Sequence, residues 1–294
     1  MSEFFIRLIL GFIWLLHGLP LSVQAVMGNA LGSLLYYLVV PRRRVVLTNL
    51  RLCFPELDER ERRALARRHI RLVTRSYLER GILWWASEER LQRLIRREGF
   101  EHLRDALAEG HPVILLVPHF IGLDAGGMGV AMQFKASSMY SHQRSKVLDK
   151  MLLRGRSRFN APLLLSRQDG LRGAVKAMKK GMPFFYLPDL DFGASDAVFV
   201  PFFGVQAATI TGLSRMARLA KAKVIPVVNE ILPGGEGYVV RMEPPWEDFP
   251  TEDVEADTRR MNAWLESRVQ TMPEQYYWVH RRFKTRPPGE PGLY

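Results

Sequence analysis

From Gly110 onward the chain alternates short apolar runs with helical stretches, and this alternation limits more than any other feature what it can fold into. The runs "PVILLV", "APLLLS", "MPFFYL", "AKVIPVV" and "GYVVRM" are of strand length, and segments such as "GLRGAVKAMKKG" and "TGLSRMARLAKA" separate them. Strands interleaved with helices in this way build an α/β fold, with helices lying on the faces of a sheet. A chain of 294 residues can bury one large core, and no internal repeat or low-complexity linker divides it. The stretch from Asp257 to Met272 predicts a last helix.

Upstream of the sheet, the reading between Phe4 and Val40 is apolar, with Arg7 the only charged side chain. Pro20 splits it into two pieces, and polar Ser22, Gln24, Asn29 and Ser33 interrupt the second. One anchor helix and one interfacial helix are expected, with Arg42, Arg43 and Arg44 as a basic flank on the cytoplasmic side. A cleaved signal peptide and a buried core hairpin are the competing readings. The division follows as residues 1–44 for the hydrophobic membrane-anchoring helical segment and residues 45–294 for the catalytic domain. Next, Asp58 stands three residues before Glu61, a capping-box spacing, and Leu65, His69, Val73 and Tyr77 at four-residue intervals predict an amphipathic helix with His69 in its core stripe.

Net charge narrows the choice of partner. With 42 Lys and Arg against 30 Asp and Glu, the chain carries +12, which favours an anionic partner: nucleic acid, anionic lipid or an acidic protein. The single cysteine, Cys53, excludes an internal disulfide.

The chemistry-bearing residues stand where strands end. His119 follows "PVILLV" directly, and Asp189 and Asp191 follow "FFYL" in the same way, so all three reach the edge where open α/β sheets bind ligands. The His-X4-Asp spacing of His119 and Asp124 is either a catalytic pair or an ordinary helix start. Five steps of regular helix would leave the two roughly 140° apart. They meet only if His119 sits in the turn before the helix and Asp124 projects back from its first turn, the carboxylate then orienting the imidazole as a base. The sequence has no G-x-S-x-G, no Cys and His cluster for a metal and no phosphate-binding loop, so base-assisted attack by a substrate hydroxyl is the enzyme chemistry left. Arg154, Arg156 and Arg158 in "RGRSRFN" are either oxyanion donors or a solvated basic face. "FVPFFG" is either an acyl groove, with Phe199, Phe202 and Phe203 on its wall, or buried core.

Taken in order, the His-X4-Asp after a buried strand, "RSRFN", "KAMKKG", "PDLDFG", "VFVPFFGVQAATITG" and "PEQYYWVHRRFKTRP" resemble the lipid A late acyltransferases, the lauroyl and myristoyl transferases of Gram-negative inner membranes. The similarity runs from about Val45 to the C-terminus. It implies a mixed sheet flanked by helices, similar to the glycerolipid acyltransferases, on the cytoplasmic face of the inner membrane. It also implies acyl transfer from acyl carrier protein to a hydroxyl of a Kdo-bearing lipid A precursor, with no cofactor, no metal and no acyl-enzyme. By position, His119 becomes the general base, Asp124 its partner, Arg156 or Arg158 the oxyanion or substrate contact, and Asp189 a group that orders the site. The chain has Asp at 124 where the family usually has Glu.

Basic surface then serves the acidic carrier protein, the acceptor phosphates and the membrane lipids, and nucleic acid is not an expected partner. A lysophospholipid or another glycolipid is the alternative acceptor. A non-catalytic basic protein that binds membrane or nucleic acid is the remote alternative.

Overall fold

The computed structural model describes residues 3–165 and 170–294. It opens with three helices: α1 (Glu3–Leu16), α2 (Leu21–Leu38) and α3 (Val40–Cys53), with Pro20 at the cap of α2. The long α4 (Glu59–Trp85) starts at the capping box, in which Glu61 N–H donates to the Asp58 carboxylate and Asp58 N–H to that of Glu61. His69 is fully buried on this helix, as its place in the stripe predicts. The short α5 (Glu88–Leu94) leads into β1 (Ile95–Glu98), α6 (Phe100–Ala108) and β2 (Val113–Leu116).

Past β2 come α7 (Leu123–Ala131), β3 (Ser137–Met139), α8 (Lys146–Arg156), β4 (Leu163–Leu165), α9 (Gly170–Met178) and β5 (Phe184–Tyr186). A hairpin follows, β6 (Ala197–Phe202) with β7 (Val205–Ile210), then α10 (Gly212–Ala220), β8 (Lys223–Ile231), β9 (Tyr238–Met242) and α11 (Val254–Thr271). The main sheet has the order β1-β9-β8-β2-β5-β3-β4. Among the described residues its pairings are parallel except β8 with β9, so the sheet is mixed and mostly parallel, as expected.

Strand β2 is continuously apolar because both its faces are covered. Val113 and Leu115 pack with α4, α6 and α7, whereas Ile114 and Leu116 pack with α9 and α10 on the opposite face. A third core gathers α3, α4, α11, the β6–β7 hairpin and the C-terminal segment around Trp278 and Phe283. Phe202 is fully buried there and Phe203 packs against Phe54 and Trp278, with Phe203 and Gly204 at positive φ in the hairpin turn.

The N-terminal helices differ from the expected anchor. No single helix among the described residues is long and apolar enough to cross a membrane; α2 and α3 reach that measure only as a pair bent by 92°. The apolar residues divide between two destinations. Ile6, Leu10 and Leu21 enter the core that holds Leu115 and Val117, and α2 crosses α4 closely, with Gly28 and Gly32 against the backbone of Arg75 and Arg71. Phe4, Leu8, Phe12, Leu15, Val26 and Leu34 instead face outward.

Candidate active site

Two neighbouring strands end alike. In the register of β2 with β5, Leu116 faces Tyr186, and each strand then continues through an apolar residue and a proline: Val117-Pro118-His119 from one, Leu187-Pro188-Asp189 from the other. Proline and the residue before it are held extended, so the two chains leave the sheet side by side and bring residues 119 and 189 to the same height. The Asp189 carboxylate accepts the His119 backbone N–H at 2.9 Å and lies 2.7 Å from His119 Nδ1.

Burial alone would push the pKa of Asp189 up, but the His119 contacts and the positive charge of Arg282 outweigh it and hold the carboxyl below its ordinary range. An ionised acceptor at Nδ1 fixes the ring proton there. The lone pair of Nε2 is thereby left for a substrate proton.

The C-terminal motif explains why this geometry holds. Tyr276 bridges Phe120, Ile121 N–H donates to the Gln275 carbonyl at 2.8 Å, and Tyr277 N–H donates to the His119 carbonyl at 3.0 Å. The Tyr276 hydroxyl reaches the Asp189 carbonyl at 3.4 Å. His280 Nε2 accepts the Asp191 N–H at 3.0 Å, while the Asp191 carboxylate takes the N–H and hydroxyl of Thr285. Burial first, then the charge of Arg282, lowers the His280 pKa to about 4, so this second histidine is a neutral structural acceptor. "YYWVHRRFKT" is thus a strap that ties down both loops of the site.

Asp124 is not the hydrogen-bond partner of His119. It is the second residue of α7, and its side chain turns toward α4, where Arg80 Nε donates to Oδ2 at 2.6 Å and Arg156 reaches Oδ1 at 3.4 Å. Burial would raise its pKa, yet the two guanidiniums outweigh burial and hold it at about 2. The expected pair of residues 119 and 124 is therefore two neighbouring couples, His119 with Asp189 and Asp124 with two arginines. The five-residue spacing allows a common wall and the stronger charges select the partners.

His119, Asp124 and Arg156 all line one cavity of about 980 Å³. Leu83, Trp84, Met128, Leu164, Phe185 and Ile210 supply much of its apolar wall. That size lies at the upper end of the about 300–1,000 Å³ typical of ligand sites. Arg158 is elsewhere: its guanidinium donates to the carbonyls of Leu83 at 2.7 Å and Ala86 at 2.5 Å, satisfying the last turn of α4. Phe199, Phe202 and Phe203 are on the hairpin and do not line the cavity: Phe202 and Phe203 are core packing rather than groove, and Phe199 is half-buried outside that core. No group of three metal-ligating side chains is found among the described residues.

Two contributors escape sequence reasoning. Arg80 lies on the same helix as many other arginines, and nothing in its neighbourhood distinguishes it. Tyr140 lines the cavity, donates its hydroxyl to Asp149 at 2.5 Å and lies under the Arg156 guanidinium at 5.8 Å; burial and then Asp149 push its pKa up to about 12.

The family model for bacterial lipid A biosynthesis acyltransferase matches residues 1–285. The chain belongs to this family. It is 38% identical over 286 residues to the lipid A biosynthesis lauroyltransferase of Escherichia coli (strain K12), covering 97% of this chain and 93% of that protein. Against the palmitoleoyltransferase of the same organism it is 32% identical, covering 97% and 92%. A crystal structure of the 1-acyl-sn-glycerophosphate acyltransferase PlsC from Thermotoga maritima, 14% identical, aligns over 83% of this chain and 97% of that one with a TM-score of 0.40. The acyltransferase is accordingly an O-acyltransferase of lipid A biosynthesis.

Proposed function

We propose that this acyltransferase moves a fatty acyl chain from acyl carrier protein to a hydroxyl on an acyl chain of a Kdo-bearing lipid A precursor, with His119 as the base. The observation that carries the reading is the Asp189 carboxylate 2.7 Å from His119 Nδ1 at the wall of an apolar cavity. As the acceptor hydroxyl attacks the thioester carbonyl, Nε2 takes its proton. The C–O bond forms, the C–S bond breaks, and the imidazolium returns the proton to the departing thiolate. Arg156, anchored through Asp124, is the cation placed to meet the negative charge on the carbonyl oxygen. No acyl-enzyme is required.

The outward apolar residues of α1 and α2 set the protein against the inner membrane with the cavity on the cytoplasmic face. Their pattern suits a helix lying in the interface, one apolar face down, rather than a crossing. The test is acyl transfer to tetraacylated, Kdo-bearing lipid A precursor from lauroyl carrier protein. His119→Ala is expected to lower turnover by about 10²- to 10⁴-fold, and near-normal turnover would remove His119 as the base.

A further inference from the structure

Helix α8 has two unlike faces. Leu152 is buried, and Gly155 sits so close to Trp84 that an added Cβ would lie 2.3 Å from the indole ring. Trp84 and Arg156, the last residue of α8, both line the cavity, so the helix forms part of its mouth. The outer face carries Lys146, Lys150 and Arg154, all exposed. Steps of four residues turn each successive side chain by only about 40° and place the three in a row roughly 12 Å long. Ion pairs on α8 involve Asp149 with His142 and Arg156 with Asp124, which leaves the row unpaired among the described residues.

We propose that this row docks the acidic carrier protein that delivers the acyl chain. The inference rests on the carrier-protein donor of the proposed function. Charge complementarity favours it, and so does position, since the row runs toward Arg156, which lines the cavity that the acyl chain must enter. Glu3 of α1 accepts from Ser145 and Val147 at the start of α8, so the row adjoins the apolar helices, and the choice against a lipid surface rests on the character of α8 itself. The outward large apolar side chains that would enter a bilayer are found on α1 and α2, and no large apolar side chain is exposed on α8. Interfacial surfaces combine cations with apolar bulk, whereas a row of cations alone suits a soluble acidic partner met by electrostatic steering.

The experiment compares two donors, lauroyl carrier protein and lauroyl-pantetheine, in the full-length wild type and the K146E/K150E/R154E variant. The expected result is a fall of about 10- to 100-fold in kcat/KM with the carrier protein only, with lauroyl-pantetheine turnover and binding to phosphatidylglycerol vesicles unchanged. The charge-conserving K146R/K150R/R154K variant should retain both activities. Unchanged carrier-protein kinetics in the charge-reversed variant, equal losses with both donors, or lost vesicle binding without donor discrimination would each overturn the docking surface. A wild type that does not use the carrier-protein donor fails earlier, and there the donor reading falls along with the surface.

Discussion

Arg80 Nε donates to Asp124 Oδ2 at 2.6 Å across the gap between α4 and α7, and this bond keeps Asp124 ionised on the cavity wall it shares with His119. The carboxyl pKa is depressed from 3.8 to about 2 in the folded protein, so its stabilising contribution is present above pH 4 and is lost as pH falls through 2. Asp124→Asn should therefore cost roughly 2 kcal/mol of stability at neutral pH. Urea unfolding of the two proteins is expected to converge in strong acid, and a gap that stays constant with pH would contradict the assignment.

If Asp189 orients His119, the two act as one unit. Asp189→Asn should then lower acyl transfer by about 10²- to 10⁴-fold. Adding it to His119→Ala should produce almost no further loss, because residues that serve a single function are not additive. Full multiplication of the single effects in steady-state assays would separate them.

Arg158 supports a helix end rather than the reaction. Arg158→Ala leaves the carbonyls of Leu83 and Ala86 without a charged donor and should cost about 1.5–3 kcal/mol. The folded fraction should keep the wild-type kcat. Calorimetry paired with active-site-normalised kinetics measures both.

Cavity and hairpin can be told apart by donor preference. Gly127 lines the cavity, and a Cβ there would meet nothing within 4 Å, so the side chain of Gly127→Trp starts into open space and is expected to narrow the cavity. Turnover of long acyl donors should fall more than that of short ones. Phe202→Leu, in the packed hairpin core, should lower thermal stability by about 1 to 3 kcal/mol while the chain-length profile measured by mass spectrometry stays the same.

Much of this architecture is legible in the residues. Every apolar run from "PVILLV" to "GYVVRM" contains a strand of the main sheet, because period and length carry that information locally. His119 and Asp189 could also have been paired from the sequence: "VPH" and "LPD" are matching exits from two apolar runs, and parallel neighbours with equal exits end together. The partners of Asp124 were hidden for the opposite reason. Arg80 and Arg156 come from helices 44 and 32 residues away, and which carboxylate they meet is set by how α4 and α8 pack. Phe202 and Phe203 stay ambiguous in the sequence because bulk and apolarity look alike in a groove and in a core. Burial by Trp278 and Phe283 decides it, and those residues lie far downstream.

Gly28 and Gly32 let α2 lie flush on α4 at the helix that carries Arg80, while Ile6 and Leu10 plug the same interior as Leu115. The greasy leader and the chemical engine consequently share one scaffold. Trimming the first forty residues to obtain a water-loving fragment would uncover the interior and loosen the seat of the arginine, so the catalytic half is expected to stay folded only as part of the whole chain.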